Sequence, residues 1–246
     1  MADSESQELQ RRLREAGPEA LLEVLRSKLA QLDPPALRLL FRNPHLSREM
    51  IEIVMGERRL LAFQEVRREL ARHRQTPEVR ALDLVSGLFW RDLLEISGDT
   101  QVRPRLRRAA ERNLLNRLPG LGVGEKATIA RRAGPLLVSQ LRGDTEPRVI
   151  AALLENPRLT EGALIPLVSS ETAKPEILNL VARNPKWGIR YPVRLSLARN
   201  RRTPVQTTLS ILPHLKKVDL KGIERNHRLS MAIRRRAAVL LGRTPA

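Results

Sequence analysis

Two rows of cationic side chains recur along this 246-residue chain, at fixed places in a short repeated phrase. The phrase is the end of an apolar helical stretch, a basic residue, Asn, then Pro or a basic residue, and a Ser or Thr. Immediately before the Asn (His in one copy) stands Arg42, Arg72, Arg183, Arg199 or Arg225, with only Glu155 departing. Two residues after it stands His45, Gln75, Arg158, Lys186, Arg202 or Arg228. Equivalent positions of stacked units fall along one edge, so these side chains are expected to form a positive ridge. Such a ridge can follow a phosphate backbone, giving salt-sensitive and sequence-tolerant binding. The residues expected to carry it are Arg183, Lys186, Arg199, Arg201, Arg202, Arg225 and Arg228. Cations also suit helix C-termini, which accounts for the first row but not the second.

Bond-breaking chemistry has less to stand on. HEAT-like DNA alkylation-repair glycosylases use aromatic side chains and an acid on a basic concave face; Trp90, Asp92 and Trp187 could supply similar groups for a damaged base. No contiguous motif matches that family. Trp90 lies in the apolar run 84–90, and Trp187 takes the slot that Leu46, Leu159 and Leu229 take in other copies, so packing is their ordinary role. The glycine-rich stretch 120–126 lacks the Gly-Lys-Ser/Thr ending of a phosphate loop and is expected to connect helices. His45, His73, His214 and His227 show no ligand spacing, and with no cysteine a thiolate metal site or disulfide is impossible. No metal and no cofactor is expected.

The elements that must position the ridge are helices. The phrase appears at 40–47, 153–160 and 223–230, in shorter form at 71–77 and 198–204, and without the Ser/Thr at 181–188. Three residues before each Asn or His stands Leu40, Leu70, Leu153, Val181, Leu197 or Ile223, the expected buried knob. Asn is expected to end each helix in the left-handed conformation, and Pro44, Pro157 and Pro185 to block continuation. Ser47, Thr76, Thr160, Thr203 or Ser230 should then cap the next helix, with Pro77 and Pro204 at its first position. Residues 1–32 suggest two helices around Gly17-Pro18, the first capped by Ser4. Asp33-Pro34-Pro35 opens the first unit. A second phrase, Gly98-Asp99-Thr100, is echoed by Gly143-Asp144-Thr145, each ending one helix and starting another.

With the Asp-x-x-x-Arg-Val entry and the Asn-Pro-x-Leu-Thr exit, the chain resembles HEAT-like α-solenoids, and more closely the bacterial leucine-rich-repeat-variant type. The resemblance covers residues 36–243 and is clearest over 141–243. It implies an all-α fold, a right-handed α-solenoid of short helix pairs, some of them 3₁₀. It implies no chemistry, because such repeats serve many partners. The iron–sulfur cluster of the leucine-rich-variant prototype needs cysteines that this chain lacks. Residues 1–35 are expected to cap the array and residues 36–246 to form one continuous repeat domain, basic over 183–246.

Composition fits that expectation. Apolar residues at 41% exclude general disorder, and 2% aromatics suits helices packed through Leu, Ile, Val and Ala. No apolar run nears the ~18 residues of a membrane span, and the polar start suggests a cytoplasmic protein. The net charge of +18 is unevenly spread. Residues 1–60 balance at zero, whereas from Arg183 onward 16 Lys and Arg face only Asp219 and Glu224. Arginine-rich base composition would not produce that asymmetry. A non-catalytic scaffold engaging nucleic acid or an acidic protein surface is the leading expectation, with a glycosylase or a scaffold indifferent to nucleic acid as alternatives.

Overall fold

The computed structural model describes residues 2–243, with side chains from residue 7 onward. The described chain is helical throughout, with no strand. It divides into two compact units, Met1–Arg117 and Leu118–Ala246. The first holds α1 (Ala2–Glu15), α2 (Pro18–Lys28), α3 (Pro34–Leu40), α4 (Arg48–Gly56), α5 (Arg58–Leu61), α6 (Gln64–Arg72), α7 (Glu78–Ser86), α8 (Trp90–Gly98) and α9 (Pro104–Arg117). The second holds α10 (Val123–Arg132), α11 (Pro135–Leu141), α12 (Pro147–Leu154), α13 (Glu161–Val168), α14 (Pro175–Arg183), α15 (Tyr191–Arg199), α16 (Val205–Ile211), α17 (Lys217–Glu224) and α18 (Met231–Leu240). Short 3₁₀ turns stand at Leu29–Gln31, Leu118–Gly120 and Leu212–His214. No described helix is long and apolar enough to cross a membrane.

Helices two steps apart along the chain pack side by side, the pattern of a helical repeat. In the first unit α3 packs on α1, α4 on α2, and α9 on α7. In the second α12 packs on α10 and α14, and α15 on α13 and α17. The six expected knobs, from Leu40 to Ile223, are all fully buried at these contacts. Burying a Leu or Ile side chain is worth about 1.5–3 kcal/mol, so a knob per unit is a large share of what holds a short helix in place.

The turns explain why the helices stop where they do, and they correct the expectation for Asn. No described residue other than glycine has positive φ; Asn184 and Asn200 sit at φ −68° and −84° in extended backbone. Asn ends the helix by hydrogen bonding instead. Its Oδ1 accepts the backbone N–H two residues on, as at Asn43, Asn156, Asn184, Asn200 and Asn226. A local side-chain acceptor of this kind offers the backbone an alternative to continuing the helix.

Four other side chains do the same work: His73 Nδ1, Asp99 Oδ1, Asp144 Oδ1 and Ser170 Oγ. All nine bonds lie between 2.8 and 3.2 Å. The Gly-Asp-Thr phrases are therefore the same turn with Asp in place of Asn.

Caps divide into two kinds. Ser47, Thr160 and Ser230 accept the N–H three residues on, as expected. Thr76 and Thr203 do not cap. Their hydroxyls donate backward to the carbonyls of Leu70 and Leu197, and Pro77 and Pro204 occupy the N-cap rather than the first helical position. Asp33 caps α3 through the Ala36 N–H, and Gly17 precedes Pro18 at the start of α2. Ser4, expected to cap the first helix, has its side chain outside the described residues. The stretch around Gly122 is a connector, as expected: the Gly122 N–H donates to Glu125.

Candidate functional site

From several of these turns a second hydrogen bond reaches the turn one repeat earlier. Asn43 Nδ2 donates to the carbonyls of Leu13 and Ala16, Asn156 to Ala130 and Ala133, and Asn200 to Val168 and Ser170. These carbonyls are left over at helix C-termini, where they must find donors if buried. Asn satisfies both needs at once, with its oxygen on its own turn and its nitrogen on the previous one. Where the residue differs, the two tasks are shared. Asp99 has no N–H, and Arg103 donates to the Thr76 carbonyl in its place. At the Asn184 turn the indole of buried Trp187 donates to Leu154. His73 accepts through Nδ1 while hydrogen-bonded to the backbone of Phe41; burial, then the neighbouring Arg74, pushes its pKa below 6.5.

These rungs sort the turns into two sets in the second unit. The turns after α10, α12 and α14 are joined by Asn156, by Trp187 and by the Arg131–Glu155 pair. The turns after α13, α15 and α17 are joined by Asn200, Arg201, Arg202 and Arg228. The seven expected site residues therefore do not share one edge. Arg183 and Lys186 belong to the first set; Arg199, Arg201, Arg202, Arg225 and Arg228 belong to the second. The spacing of 16 between Asn184 and Asn200 is half a repeat, which is why adjacent copies of the phrase fall in different sets.

Within the first set Arg183 is exposed at the end of α14, and Lys186 lays its ammonium 4.5 Å over the Trp187 ring. Arg190 lies 5.7 Å over the same ring. Further on, Lys216 lies 5.1 Å over Tyr191, whose hydroxyl donates to Asp219 at 2.5 Å. Burial, then the Asp219 bond, raises the Tyr191 pKa. Gly188 lets this turn close, since any Cβ there would stand 2.1 Å from the Ala182 carbonyl oxygen.

Within the second set Arg225 is exposed with no ion pair among the described residues, and Arg199 pairs with Asp219 at 2.8 Å. The other three gather on one residue that sequence spacing left unremarked, Glu171. Arg201 meets its Oε2 at 3.3 Å, Arg228 its Oε1 at 3.1 Å, and Arg202 Nε donates to its carbonyl at 3.0 Å. The signal that could have found it is Ser170-Glu171 standing 30 residues before Asn200-Arg201, with Ser in the Asn place.

The first unit also has a basic groove, of about 680 Å³, lined by Arg38, Arg42, Arg68, Arg72 and Arg74. Here three of the five arginines are matched by acids one repeat away: Arg38 by Glu65, Arg68 by Asp92, and Arg72 by Asp99 at 2.5 Å. Asp92 is thus held in an ion pair, and Trp187 is closed into the core. No cluster of potential metal ligands exists among the described residues. No family model, curated protein or solved structure matches this chain.

Proposed function

We propose that this chain is a non-catalytic, HEAT-like α-solenoid scaffold of the leucine-rich-variant kind, right-handed, with residues 1–35 as cap and 36–246 as the repeat array. Its basic second-unit surface binds nucleic acid through the phosphate backbone. The observation carrying this reading is the row of arginines at the turns after α15 and α17, with the single glutamate of the turn after α13 facing them. The second unit has 23 Lys and Arg against 9 Asp and Glu, a surplus that attracts polyanions over a Debye length of about 10 Å.

Lys186 and Arg183 belong to the other set of turns. There, Ile189 and Val218 stand exposed beside Arg190 and Lys217. That mixture suits an acidic protein with apolar anchors, which is the second reading.

The test is binding of labelled single-stranded and duplex DNA and RNA across a salt series. The full chain should bind with log K falling steeply against log salt. Replacing Arg201, Arg202 and Arg228 together by Glu should weaken binding by roughly 100-fold at low salt and flatten the slope by about 2. Helical circular dichroism should not change. Binding that survives the triple reversal sinks the proposal; salt-insensitive binding to protein alone moves it to the second reading.

A further inference from the structure

We infer that Arg201, Arg202 and Arg228 form a phosphate subsite in which the Glu171 carboxylate stands as a built-in competitor for the ligand. The inference rests on the nucleic-acid reading for the source of the phosphate, but its chemistry is independent of that source. Three guanidinium groups from two successive turns converge on a residue of a third. Two of those turns are fixed locally, because the Arg202 and Arg228 backbone N–H groups are held by Asn200 and Asn226. The guanidiniums therefore spread from a rigid frame.

One carboxylate matches them poorly. Its two oxygens serve Arg201 and Arg228, one each, and Arg202 is left on a neutral carbonyl. Three positive charges face one negative. A phosphate carries more oxygens in a tetrahedral fan and up to two charges, so it can accept from all three. Displacing the carboxylate is easy because Arg201, Arg228 and Glu171 are each more than half exposed, and exposed pairs of this kind contribute little.

The experiment compares the full chain with Glu171→Gln and with the Arg201→Glu/Arg228→Glu pair. The probes are inorganic pyrophosphate and a 12-nucleotide single strand, titrated by calorimetry at low salt. Glu171→Gln should bind both probes more tightly, by roughly threefold or more, and the arginine pair should lose both. Thermal midpoints should stay level, since the substituted side chains are solvent-facing. If pyrophosphate follows this pattern and the oligonucleotide binds no variant, the phosphate subsite stands and the nucleic-acid reading falls. If the oligonucleotide binds all three chains equally, nucleic acid docks elsewhere; if pyrophosphate does so too, the subsite is overturned. Absence of binding to either probe overturns both.

Discussion

The two units use arginine differently. In the first, many guanidinium groups are engaged by the fold, although Arg42 and Arg74 stand exposed. Arg38, Arg68, Arg72 and Arg105 each meet a carboxylate one repeat away, and Arg59 and Arg117 donate to helix-end carbonyls of Leu32 and Leu88. In the second, beyond Arg183, acids are too few to do this. Asp219 is taken by Tyr191 and Arg199, and Glu224 by Arg243. The Asn rungs of the turn ladder are common to both units, so most of the surplus charge of the second is not needed to hold its repeats together. Cations that stability does not require are free to meet a partner.

Three sets of substitutions press on this comparison. The largest effect should come from the shared ladder. Asn43→Ala in the first unit and Asn156→Ala in the second each strand two carbonyls and one N–H, and should cost about 2–3 kcal/mol in urea unfolding. A negligible cost in either unit would show that the rungs are dispensable there. Next comes the contrast between arginines. Arg72→Ala abandons half-buried Asp99 and should cost about 1 kcal/mol, while Arg183→Ala should stay within about 0.5 kcal/mol. Equal costs would erase the distinction drawn between the units.

The smallest effect belongs to His73. Its folded pKa is depressed, so the neutral ring is the form that the fold prefers. The sign follows from linkage. Its contribution is complete above the ordinary value of 6.5 and is lost as pH falls from there through the lowered folded value. His73→Asn, the residue other copies use, should remove that pH dependence without unfolding the chain. An unchanged stability–pH curve between pH 7 and 5 would show that His73 is not the titrating group.

Much of the architecture was legible in the residues. Knobs such as Leu153 and Ile223 are read directly from helical spacing, because a buried face must recur with the helix period. The place where the helices that carry the repeated phrase stop was legible too, but not the reason. Asn favours both a left-handed backbone and a side-chain turn, and only geometry distinguishes them. Between His73 and Leu141 the turns lack that phrase and the register was not legible. The reach of Asn200 to Val168 joins residues 32 apart, a pairing that no local pattern encodes. The ridge was legible as charge but not as place, since copies 16 residues apart look alike in sequence and face different sets of turns. Glu171 was overlooked because Ser170 replaced the Asn that marked its neighbours.

The rungs also have a direction. Asn43, Arg59, Arg103, Arg117, Asn156, Trp187, Asn200 and Arg202 each donate to a carbonyl earlier in the chain, never more than 33 residues back. A chain leaving the ribosome N-terminus first would therefore have these helix ends sealed by a segment that emerges soon afterwards. With such near partners the search for contacts is short, and synthesis itself can set the order of assembly.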